Sequence, residues 1–177
     1  MNLSRWMLAF LLVTSLPAQS WVKGQIAFRL TTVPKECPAE RAGLKVGDIL
    51  IDAAGVSAAI KAKTPLPVFR FDPAKAAYLR EELELKFRAG EERKLGVVGD
   101  FGFLVTGVEP HSLAARAKLH PHDFLPQIDG AIARELEVLS LVDRAHSEGI
   151  DVNLHVIRWN AEKSVFDRFI VAQKYKQ

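Results

Sequence analysis

The chain has 177 residues, 49% of them hydrophobic and 25% charged, with a formal net charge of +3. This is globular rather than disordered composition, enough for one medium domain or two small ones. Basic and acidic residues are interleaved, so no run of Lys and Arg tracks a phosphate backbone, which counts against a nucleic-acid partner.

The N-terminus differs in character from the rest. "MNLSR" is a short head with Arg5, "WMLAFLLVTSL" is an apolar run of secretory length, and "PAQS" offers Ala18 and Ser20 as small residues before a cleavage point. The run from Trp6 to Leu16 is about half of the roughly 20 apolar residues that a spanning helix needs. Residues 1–20 therefore read as a signal peptide cleaved after Ser20, and the mature chain as periplasmic or secreted, with no membrane span.

Next come "IAFRLTTV", an alternating strand, and "PAERAGLKVGDILIDAAG". In the second stretch a short Ala-rich helical turn leads to Gly47, where the chain reverses. Asp48 is placed to accept the turn's backbone N–H groups before "ILIDAAG" leaves as a strand. Cys37, the only cysteine, cannot form an internal disulfide; a structural cysteine is favoured over a reactive thiol. Beyond the corner, "KAKTPLPVFRF" reads as a Pro-broken loop. Asp72-Pro73 reads as the cap and first turn of a short helix reaching Glu82. "LELKFRAGEERKLGVV" reads as a hairpin turning at Ala89-Gly90.

The remainder repeats this pattern. A shift of 75 positions places Gly24 on Gly99, Phe28 on Phe103, Leu44 on Leu119, Asp48 on Asp123 and Gly55 on Gly130. Such agreement marks two copies of one unit, at 21–98 and 99–177. In the second copy His122 stands at the position of Gly47. "ARELEVLSLVDRAHSEG" then carries a helical stripe ended by Gly149, and "DVNLHVIR" and "SVFDRFIVA" form a strand pair around the polar turn Asn160 to Lys163. Each unit is expected to be mainly β with short helices, a small partly open β-barrel with two helices at its ends.

These residues resemble a PDZ domain. The likeness is carried by "GDFGFLVTGVEPHSLAARAKLHPHDFLPQIDG" followed by a helix, a glycine and "VNLHVIR", and by "RLTTVPKECPAERAGLKVGDILIDAAG" in the first copy. The resemblance implies two PDZ-like barrels in tandem. It also implies peptide binding by strand addition, the peptide lying between a sheet edge and a helix with its carboxylate in backbone N–H groups of a Φ-Gly-Φ loop. Mapped onto the second copy, Val138, Val142 and Ala145 line the groove helix, unless they are simply core. Leu95-Gly96-Val97 is the best Φ-Gly-Φ match, with Phe101-Gly102-Phe103 as its rival.

Other motifs carry less. His120, His122 and Asp123 offer two imidazoles and a carboxylate to a metal, but in a turn with no further clear ligand, so a satisfied turn is favoured and no metal or other cofactor is expected. Ser112 beside His111 has no triad context, and catalysis has no support. The expected function is non-enzymatic binding of a protein or C-terminal peptide in the second copy. The alternative is a structural scaffold module with closed grooves, in an envelope assembly or as a protease regulator.

Overall fold

A computed structural model describes residues 22–92, 94–133 and 148–173. Nine strands form one antiparallel sheet in the order β4-β3-β2-β1-β5-β6-β8-β9, with β7 paired to β6, curled into a half-barrel. The first copy supplies β1 (Val22–Thr32), α1 (Pro38–Arg41), β2 (Ile49–Ile51), α2 (Ala53–Ala62), β3 (Leu66–Asp72) and β4 (Ala77–Leu83). The second supplies β5 (Val98–Val108), α3 (Leu113–Arg116), β6 (Phe124–Ile128), β7 (Ala131–Ile132), β8 (Val152–Asn160) and β9 (Val165–Gln173). The mainly β expectation holds, with few short helices. The copies do not close as two barrels in tandem, because β1 and β5 pair along their length and make one sheet of them.

That pairing is two-fold symmetric. Gly24 faces Val105 and Leu30 faces Gly99, while Ala27 faces Gly102, its own counterpart after the shift of 75. The symmetry axis thus passes through the Ala27–Gly102 pair. Packing obeys it as well. A Cβ on Gly24 would stand 2.3 Å from the Leu104 carbonyl oxygen and 2.3 Å from the Phe103 ring, and one on Gly99 would stand 2.3 Å from the Arg29 oxygen and 2.9 Å from the Phe28 ring. Both glycines are required because an aromatic ring of the facing strand lies flat over the backbone there.

Each copy has its own core, and the antiparallel pairing exchanges the strand starts between them. Val22 from the first copy packs with Phe103, Val105, Leu125 and Ile128 of the second. Leu95 and Val97, which precede the second copy, pack with Leu30, Leu44, Leu66 and Val68 of the first. A third cluster fills the half-barrel interior near the axis, with Ala27, Ile49, Tyr78, Leu104, Phe124 and Ile157. There Phe71 meets Trp159 at 5.1 Å between ring centroids and Tyr78 stacks on Phe166 at 6.4 Å, so the two ends of the sheet touch through side chains.

The corners form as expected and carry a feature the sequence reading lacked. Asp48 Oδ2 accepts the Lys45 N–H at 2.8 Å, and Asp123 Oδ2 accepts the His120 N–H at 2.8 Å. Arg70 from β3 then donates Nε and Nη2 to the two oxygens of Asp48 and Nη2 to the Gly43 carbonyl. Arg158 from β8 does the same to Asp123 and Lys118. The hydrogen bonds that Arg70 donates to Asp48 hold its guanidinium above its ordinary pKa against the opposing effect of burial. Cys37 and Ser112, equivalent in the repeat, act as N-caps, Sγ accepting the Glu40 N–H and Oγ the Ala115 N–H.

Four local expectations are corrected. Residues 66–72 are strand β3 rather than a loop; β3 meets β2 only at Phe69, so Pro67 lies where the β2 ladder does not reach. Asp72 to Glu82 is not a helix: residues 73–76 form the turn of the β3–β4 hairpin, Asp72 capping the Ala74 N–H at 2.9 Å. The strand after the first corner ends at Ile51, where Asp52 caps α2 through the Ala54 N–H. Between Leu83 and Val98 the turn at Ala89-Gly90 is present, but the described residues form no strand there.

Candidate peptide-binding grooves

Strand addition needs a backbone edge without a partner. The sheet offers two beside its centre, because β1 and β5 both outrun their outer neighbours. β1 pairs with β2 only from Ala27 to Arg29, so its start, Val22 to Ile26, has no partner on that side among the described residues. β5 pairs with β6 only at Phe103 and Leu104, since Pro126 has no N–H to continue the ladder and the register shifts there. The start of β5, from Val98 to Gly102, is bare in the same way.

A groove accompanies each bare edge. The first, of about 520 Å³, lies between β1 and the N-terminal turn of α2. Ile26, Phe28, Ala53, Ala54, Val56, Leu95, Val97 and Phe101 line it, and Asp52 is the one acidic residue among the described lining residues. α2 forms because "AAGVSAAIKA" is rich in helix formers, capped by Asp52 and stopped by Lys63 in the left-handed region. The 84–97 loop is fastened by Arg41, which donates to the Lys86 carbonyl at 3.3 Å and to Glu91. That contact, with the Arg88 N–H, holds the Glu91 carboxyl below its usual pKa. Gly96 has φ +71, and a Cβ there would stand 3.2 Å from the Cys37 Cβ.

The second groove, of about 440 Å³, runs beside β5 past Pro126 and Gln127 to His155, Arg168 and Ile170. It is more polar, and Arg168 spans it to Asp100 at 3.4 Å. Phe101, half exposed and packed on Phe28 at 4.8 Å, lines both grooves. Exposed apolar side chains gather here: Ile26, Phe101, Ile132, Phe169 and Ile170 all line one groove or the other.

The expected site residues therefore separate. Leu95, Val97 and Phe101 come together, with Gly96 between the first two, but at the first copy rather than the second. Phe103 is buried in the second core, and Gly102 lies under the Phe124 ring with no room for a side chain. Val138, Val142 and Ala145 lie outside the described residues. The sequence reading missed Ile26, Ala53, Ala54 and Val56, whose signal was the Ala-rich run after Asp52. Among the described residues, no His, Cys, Asp or Glu cluster is arranged to hold a metal and no helix is long and apolar enough to cross a membrane. No protein-family model matches the chain, and no curated protein matches it.

Proposed function

We propose that the protein is an exported, PDZ-like, non-enzymatic binding module. It takes an extended apolar segment of a partner protein by strand addition to the bare start of β1. The observation that carries this reading is the coincidence of an unpaired strand edge with an apolar groove closed by a helix on one side and by Leu95-Gly96-Val97 on the other. The edge supplies backbone hydrogen bonds, and the groove takes alternate side chains of the added strand. The Gly96 backbone is where a terminal carboxylate comes closest, since glycine leaves it uncovered. The β5 edge with its polar groove offers a second, related site.

Peptides selected on the full chain from a random library test this. Ile26→Asp and Val56→Asp place an unpaired carboxylate in the groove and should weaken binding at least tenfold, about 1.4 kcal/mol. Val46→Asp, at an exposed position outside both grooves, should leave it unchanged. If folded groove variants bind as the parent does, the grooves are not used. The β1–β5 union of the two copies then favours the structural-module reading.

A further inference from the structure

The two copies place residues at equivalent positions across the symmetry axis, and three positions where one copy carries a polar side chain and the other does not gather in one place. Arg29 stands where the second copy has Leu104, His122 where the first has Gly47, and Tyr78 where the second has Phe166. Tyr78 and His122 rings lie 6.3 Å apart, and the Arg29 guanidinium sits 4.9 Å over the Phe166 ring that stacks on Tyr78. Arg29 is 7% exposed and Tyr78 8%, and among the described residues neither the Arg29 Nε nor the Tyr78 hydroxyl has a partner in hydrogen-bond geometry, although Arg29 lies close enough to Tyr78 to act on its hydroxyl. A buried cation whose compensation is a ring face is costly, and a buried polar atom left unpaired adds to that cost.

A pocket of about 140 Å³, the share of liquid volume of roughly four or five waters, opens one ring layer away. Its walls are Phe71 and Trp159, and its polar lining is His120, His122, Arg158 and Asp123. Asp123 is fully buried and already engaged by Arg158 and the His120 N–H. Phe71 and His122 flank Tyr78, and Trp159 and Phe71 flank Phe166, so Phe166 touches both the Arg29 guanidinium and the two aromatic walls.

We propose that this pocket binds a small oxyanion, held by the His120 and His122 imidazoles between Phe71 and Trp159, with the buried Arg29 supplying the attractive field. Positive and donor groups converge there, and the one carboxylate present is spent on the corner. The field of a buried cation reaches further through an aromatic interior than through water.

The test uses the full chain with Trp6→Phe and Trp21→Phe, leaving Trp159 as the only tryptophan. Inorganic phosphate and acetate are titrated separately at ionic strength fixed with sodium chloride. The expected result is a saturable change in Trp159 emission with at least one ion, half-complete at or below about 10 mM. The two arms distinguish a tetrahedral from a planar anion. His122→Gly, which restores the first copy's residue and keeps the left-handed backbone, should raise the half-saturation point at least fivefold, and Arg29→Met should do the same. Absence of saturation with either ion, or an unchanged response in His122→Gly, overturns the proposal even if Arg29→Met fails to fold.

Discussion

Asp48→Ala and Asp123→Ala should not cost the same, although the two corners look alike. Each carboxylate accepts one backbone N–H and two guanidinium donors. Losing a buried hydrogen bond to a charged group costs about 1.5 to 3 kcal/mol. Arg70 keeps a second carboxylate, Glu81, at 2.7 Å on Nη1, and its side chain is about a quarter exposed, so stranding it adds only about 1 kcal/mol. Arg158 has Phe169 at the position of Glu81, with its guanidinium 5.2 Å over the ring. Arg158 is as exposed as Arg70, but removing Asp123 leaves it with no carboxylate partner among the described residues, a somewhat larger penalty. The expected losses are about 3 kcal/mol for Asp48→Ala and about 4 kcal/mol for Asp123→Ala. Urea denaturation followed by far-UV circular dichroism measures both, and cycles with Arg70→Met and Arg158→Met isolate the coupling. Because one sheet joins the copies, each variant should still unfold in a single transition. Losses below about 0.5 kcal/mol at both sites would show that the carboxylates do not hold the corners. Equal losses would remove Glu81 from the argument.

Gly24→Ala and Gly99→Ala should each cost at least about 2 kcal/mol in thermal unfolding, because the new Cβ meets a carbonyl oxygen at 2.3 Å; losses within error would mean that the central pair is loosely packed. Burial raises the Tyr78 pKa, against the lowering effect of Arg29. The neutral phenol is thus favoured in the folded state, so its contribution to stability is whole below about pH 10 and is lost as pH climbs through the folded value. Phenolate absorbance in a Tyr175→Phe chain should accordingly rise later than in the unfolded protein, and coincident curves would contradict the burial argument. If the chain is exported and cleaved after Ser20, its intact mass should correspond to a start at Trp21, and a mass retaining residues 1–20 would refute the cleavage.

The repeat was legible because strands and corners keep strict spacing. Gly24 and Gly99, the Asp48 and Asp123 turns, and the β8–β9 hairpin could all be read from residue order alone. The arginine partners were hidden by a change of interval: Arg70 and Arg158 are 88 apart rather than 75, beyond the stretch where the copies align without a gap. "FRFDPAK" and "IRWNAEK" carried the signal, since Asp72 and Asn160 both precede a turn and both copies place a left-handed residue, Ala76 or Ser164, at its end. Prolines at 65 and 67 argued for a loop, yet the long β4 ladder made β3 a strand. Leu95-Gly96-Val97 fall beside the first copy's groove, not the second's, because an antiparallel pairing of two repeats carries the start of each central strand onto its neighbour's core. A local reading places Leu95-Gly96-Val97 with the residues that follow, whereas tertiary packing places them with residues some fifty positions earlier.

The symmetric register of β1 also bears on how the chain is made. Until β5 has been synthesised, β1 lacks the partner that covers its whole length, and that partner lies about 75 residues downstream, or roughly 4 to 15 s of synthesis at about 5 to 20 residues per second. During this interval β1 of one nascent chain offers β1 of another the same backbone register that β5 offers, because the pairing centred on Ala27 and Gly102 can be centred on two copies of Ala27. Two first halves can therefore join across chains in the geometry that one chain reserves for itself. The hazard is an exchanged dimer, and it grows with the number of ribosomes on one message and shrinks with any carrier that keeps the first half extended until the second emerges.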